Sequence, residues 1–162
     1  MKVANEILIP ELARLVADEK EVRFTPSGVS MRPFIEGDRD SVVLHALTRA
    51  PKRGDILLAR VTSPAGLNTY VLHRLIRTEN DEDGQTVYIL QGDGNLSGEE
   101  YCRLEEIIAR VIRIEWPNGN RKCLTRGYIW HALFPVRKWL LKIYRHTILI
   151  WFYENNRRIS PA

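Results

Sequence analysis

Ile56-Leu57-Leu58-Ala59-Arg60-Val61-Thr62, then Ser63-Pro64-Ala65-Gly66, then Tyr70-Val71-Leu72-His73-Arg74-Leu75-Ile76-Arg77 is the stretch that sets the fold class. Two short runs rich in Val, Ile, Leu and Tyr flank a Pro/Gly cluster, the pattern of strands joined by a turn. The pattern continues outward. Val22–Thr25, Ser41–Leu47, Thr86–Gln91 and Ile107–Trp116 are further apolar runs. Polar clusters break them at Pro51-Lys52-Arg53-Gly54-Asp55, Asp81-Glu82-Asp83-Gly84 and Asp93-Gly94-Asn95. Asn118-Gly119 is a tight-turn pair that closes a last hairpin, Ile107–Trp116 with Lys122–Thr125. Together these elements predict a mainly β (α+β) chain built on an antiparallel domain, sandwich or barrel-like.

The two ends read differently. Residues 4–20 carry Ile7, Leu8, Leu12, Leu15 and Val16 near helical spacing, which predicts a helix whose regular part begins near Ile9, with Pro10 tolerated in its first turn. Residues 128–153 place Val136, Trp139, Leu140, Ile143, Thr147, Ile150 and Trp151 on one broad helical face, with Arg137, Lys138, Lys142 and Arg145 off it. The expected organisation is a β domain with its N-terminal helix over 1–126 and a basic, aromatic-rich helical tail over 127–162.

The chain has 162 residues and a net charge of +4, enough length for one domain with a core. The charge is uneven. Residues 1–119 carry 15 Lys and Arg against 19 Asp and Glu, whereas residues 120–162 carry nine against one. A basic tail on an acidic body points to an anionic partner: a membrane surface, a nucleic acid or the body itself. The nucleic-acid reading is the weaker, because so apolar a basic helix would expose too much hydrophobic surface to a polyanion. No charged start leads into an apolar run, and no run reaches the roughly eighteen apolar residues of a membrane span. The expected location is cytoplasmic, with peripheral attachment at the inner membrane face as the extension of that reading. Cys102 and Cys123 lack metal spacing and are expected to be reduced thiols. Neither a metal nor a cofactor is implied.

The chemistry is concentrated in Gly28-Val29-Ser30-Met31-Arg32-Pro33 and in Leu72-His73-Arg74-Leu75. A serine hydroxyl is a poor nucleophile without a base in hydrogen-bond reach, and a histidine such as His73 can be that base. Strand alternation puts Val71, His73 and Leu75 on one face and Leu72, Arg74 and Ile76 on the other. Leu90-Gln91-Gly92-Asp93-Gly94-Asn95 follows, with Glu99 and Glu100 just after. His45, His131 and His146 have no motif around them, and Asp38 and Asp40 read as a structural turn behind the serine loop.

In that order, Gly28-x-Ser30-Met31-x-Pro33, Gly54-Asp55-Ile56, His73-Arg74 and Gly92-Asp93-x-Asn95 resemble the serine peptidase clan that contains signal peptidase I and the LexA-like self-cleaving repressors. The likeness spans about residues 22–114. The clan's bacterial members use a lysine base. With His73 in that place, the chain is similar to the endoplasmic-reticulum and archaeal type of signal peptidase. The resemblance implies a β catalytic core, Ser30 as nucleophile, His73 as general base and Asp93 as the supporting acid, with Glu99 as the rival acid. It implies Gly28 and the Ser30 amide as backbone support for an oxyanion, and no metal.

The resulting expectation is a serine endopeptidase that cleaves a leader or signal-like peptide, held extended along a sheet edge. Two other classes compete with it: a catalytically inactive peptide-binding module of the same fold, and a membrane-interface scaffold acting through the tail. Autoproteolysis is not expected, since Ala65-Gly66 follows the serine in a turn between strands.

Overall fold

The computed structural model describes residues 5–62, 66–95, 97–119, 121–122, 136, 139–144 and 146–147. Among the described residues the elements are α1 (Asn5–Ala17), β1 (Val22–Phe24), β2 (Ser41–His45), β3 (Ile56–Thr62), β4 (Asn68–Asn80), β5 (Thr86–Gln91), β6 (Glu100–Cys102), β7 (Ile107–Glu115) and β8 (Arg121–Lys122), all but β6 and β8 built on apolar runs. A 3-10 turn, Leu104–Glu106, links β6 to β7.

All pairings are antiparallel, in the order β1-β2-β7-β3-β4-β5-β6, and β8 pairs with β7 off that path. The mainly β class is therefore as expected. β3 and β5 have the limits the sequence predicts, and β4 is longer by two residues at one end and three at the other. β6 was not expected; three residues are too few to show a period. The closing hairpin pairs Ile114 with Lys122 and Glu115 with Arg121 around the Asn118-Gly119 turn, so it begins at Arg121 rather than Lys122. α1 begins at Asn5, so Pro10 lies inside the helix rather than in its first turn. The proline has no N–H for the carbonyl four residues earlier, one bond that α1 forgoes.

Alternation along β3 divides the interior. Ile56 and Leu58 join Ile9, Leu12 and Val16 of α1, Val42 and Leu44 of β2, and Ala109, Val111 and Ile114 of β7 in one core. Leu57, Ala59 and Val61 face the other way, onto Leu75, Tyr88, Leu90 and Cys102. The sheet curls so that β6 and the turn Leu104–Glu106 lie against β3 and close this second core. Both faces of β3 are thus buried. Among the described residues no helix is long and apolar enough to cross a membrane. Of the expected tail helix, the described positions within 136–147 are helical. Trp151 and the rest of the segment beyond 147 lie outside the described residues, as does Cys123.

Candidate active site

β4 makes the site by having two different neighbours along its length. It pairs with β3 from Asn68 to Arg74, but with β5 only from Arg74 to Asn80. β5 ends at Gln91, and the chain turns away through Gly92-Asp93-Gly94-Asn95. Residues 68–73 of β4 are left with no strand on that side among the described residues. The loop between β1 and β2 lies there instead, with Ser30 on it.

That loop is closed on itself. The Asp38 N–H donates to the Pro26 carbonyl at 2.8 Å, and Glu36 receives the Arg39 and Asp40 amides. Asp40, fully buried, accepts the Glu36 N–H at 2.9 Å and the Arg39 guanidinium. Gly37 packs directly on the Gly28 backbone, where a Cβ would collide with the Gly28 carbonyl. Met31 and Ile35 anchor the loop in the first core. Asp38 and Asp40 are structural, in the way the turn predicts.

The serine loop is also held from the other side. Gly94 N–H donates to the Ser30 carbonyl at 2.7 Å. A Cβ on Gly92 would sit 2.5 Å from that same carbonyl oxygen, so this approach requires glycine.

Ser30 and His73 meet. Ser30 Oγ lies 3.0 Å from His73 Nε2, and His73 Nδ1 lies 2.9 Å from Glu100 Oε2. His73 is 5% exposed while Ser30 is half-buried, so the ring is shielded and the hydroxyl is reachable. With a carboxylate at Nδ1, the favoured tautomer carries its proton there and leaves Nε2 free to accept one.

The carboxylate that meets His73 is neither of the two the sequence suggests. Asp93 is fully buried and receives Arg74 Nε at 2.9 Å and Arg74 Nη2 at 2.7 Å. Arg74 also donates to the Gly54 carbonyl at 2.7 Å and sits 5.7 Å from the Phe34 ring centre. Since Arg74 and His73 are adjacent on a strand, their side chains leave opposite faces, and the partner of one cannot serve the other. Glu99 is taken by Arg77, through two bonds at 2.7 and 2.8 Å, and also accepts the Tyr101 hydroxyl. The Arg77 guanidinium holds the Glu99 carboxyl below the usual glutamate range. Glu100 is the residue that sequence reasoning missed. Its placement follows from β6, which the sequence does not show: Tyr101 is exposed and Cys102 buried, so the parity of the strand turns Glu100 inward with Cys102.

The remaining candidates are placed as follows. Gly28 lines the cleft beside Ser30 with φ of +95°. The Ser30 N–H makes no hydrogen bond among the described residues. Arg32 is ion-paired with Glu36. His45 Nδ1 lies 3.0 Å from the neighbouring Ala46 carbonyl, away from this constellation. His131 lies outside the described residues, and His146 is exposed. Cys102 is a free, buried thiol, pushed up to about 12 by desolvation. Among the described residues no cluster of His, Cys, Asp and Glu has the makings of a metal site.

A cleft of about 130 Å³ opens at Ser30, walled by Pro26–Gly28 on one side and Tyr70–His73 of β4 on the other. A smaller depression of about 60 Å³ adjoins it, sharing Pro26, Ser27, Tyr70 and Leu72 and floored by Ile9, Phe24 and Leu58. Comparison with protein-family models, with curated proteins and with solved structures found no match.

Proposed function

We propose that this protein is a serine endopeptidase of the signal-peptidase-like kind, with Ser30 as nucleophile, His73 as general base and Glu100 as its orienting acid. The observation that carries the reading is the unbroken line Ser30 Oγ–His73 Nε2, 3.0 Å, and His73 Nδ1–Glu100 Oε2, 2.9 Å, at the mouth of a cleft. Ser30 Oγ attacks the scissile carbonyl while Nε2 takes its proton. The carboxylate of Glu100 stabilises the imidazolium that results. His73 returns the proton to the leaving amine, and a water it then activates releases the acyl group from Ser30. The unengaged Ser30 N–H is available to the developing oxyanion.

The substrate class follows from the walls of the cleft. The edge of β4 over residues 68–73 has no strand partner among the described residues, and Tyr70–His73 line the cleft. A polypeptide laid against it in extended form gains main-chain hydrogen bonds, the mode of strand addition. The two depressions are small and shallow, which favours small side chains on the bound segment. A leader or signal-like peptide has that character. The fold that this reading assigns is the signal-peptidase/LexA-like β core.

The test is cleavage of a mixed peptide library, with new termini identified by mass spectrometry. The native chain is expected to cut after small residues, and Ser30→Ala to cut nothing while keeping its circular dichroism spectrum. Cleavage retained by Ser30→Ala overturns the assignment. Peptide binding without cleavage by the native chain, surviving His73→Ala, points instead to a peptide-binding module.

A further inference from the structure

We propose that the helical segment within 136–147 seats the protein on an anionic membrane surface. Val136, Trp139 and Ile143 are 46%, 63% and 44% exposed, large apolar side chains left in water. Their spacing of three and four residues stacks them in a single row on one helix face. The opposite side is covered: Leu141 is 1% exposed and Tyr144 is half-buried. The row is therefore the side of the helix left in water.

The charge selects the partner. Exposed Lys142 and His146 flank the row, and residues 120–162 carry nine Lys and Arg against one Glu. An indole with an apolar row on one side and cations beside it suits the boundary between acyl chains and anionic headgroups. A second copy of the chain fits less well. One row of three half-exposed side chains falls far short of the about 800 Å² per partner that a standard interface covers. Pairing through this face would also bring two strongly basic segments together. A nucleic acid offers the apolar row nothing to bury against. This inference stands apart from the peptidase reading, since none of these residues touches the Ser30 cleft.

The experiment is flotation of the full chain with vesicles of phosphatidylcholine alone, or of phosphatidylcholine with phosphatidylglycerol. Binding is expected to the anionic vesicles and not to the neutral ones, and to be reversed by high salt. The double variant Trp139→Glu/Ile143→Glu changes exposed positions only, and is expected to lower binding by tenfold or more with an unchanged circular dichroism spectrum. Lys142→Glu is expected to lower it several-fold. No flotation with anionic vesicles, or equal flotation of the native chain and the double variant, overturns the proposal. So does a dimer in sedimentation that the double variant dissolves. Cleavage of a soluble peptide is expected to be the same in the double variant, which keeps failure of this proposal distinct from failure of the peptidase reading.

Discussion

Glu99 and Glu100 are neighbours of identical chemistry with different duties, and a pair of substitutions separates them. Glu100 Oε2 is 2.9 Å from His73 Nδ1, whereas Glu99 is bound by Arg77 at the surface. Under the peptidase reading, Glu100→Gln lowers kcat by about 10²–10⁴, because the imidazolium loses its counter-charge and the tautomer is no longer fixed. Glu99→Gln leaves kcat within about twofold, since an exposed pair contributes little. Equal losses in the two variants, measured on one peptide substrate, would show that His73 is not oriented by Glu100.

At the scale of the element, the loop Gly92-Asp93-Gly94-Asn95 connects the buried Arg74–Asp93 pair to the carbonyl of Ser30. β4 thus serves the site on both faces: His73 on one meets Ser30, and Arg74 on the other anchors the loop that holds the Ser30 carbonyl. Asp93→Ala leaves the Arg74 charge buried without its partner and is expected to destabilise the fold by about 3–5 kcal/mol in urea unfolding. The double change Arg74→Met/Asp93→Leu is expected to restore much of that stability. Restored folding with activity still depressed separates the loop's positioning role from simple stability. Gly92→Ala forces a Cβ to within 2.5 Å of the Ser30 carbonyl oxygen. Its expected result is lower kcat with little change in KM, provided the loop yields rather than the sheet. An unchanged kcat would show that the loop does not hold the serine.

At the scale of the whole molecule, burial and ion pairing set a pH dependence at both ends. Cys102 is raised from its ordinary 9.0 to about 12 by burial in the second core. Its folded value exceeds its unfolded value, so its contribution is complete below about pH 9 and is lost as pH rises from there through 12. Cys102→Ala is expected to flatten the alkaline fall of the urea midpoint, while lowering the midpoint at neutral pH by the packing it removes. An alkaline slope unchanged by this variant would place the titration elsewhere. Glu99 and Asp81 have the opposite sign. Glu99 is held low chiefly by Arg77, and Asp81 by the Gln85 amide and then Arg103. Their contribution is present above the ordinary carboxylate range and disappears as pH falls through their depressed folded values. Both carboxylates are partly exposed, which keeps their effect on stability small.

Much of the fold was written locally. The limits of β3 and β5, the Asn118-Gly119 hairpin and the opposed faces of His73 and Arg74 follow from apolar runs, turn residues and the two-residue period of a strand, all of which act between near neighbours. The pairing of a loop serine with a strand histidine was legible as a motif, 43 residues apart. The choice of acid was not. Three carboxylates, Asp93, Glu99 and Glu100, follow the histidine within a few residues of one another. Which of them meets it depends on β5 ending at Gln91, on the prior claim of Arg74 on Asp93, and on a three-residue strand that turns Glu100 inward. Those are long-range pairings between strands, and only the assembled sheet decides them, because a strand's partner rather than its own sequence sets where its side chains arrive.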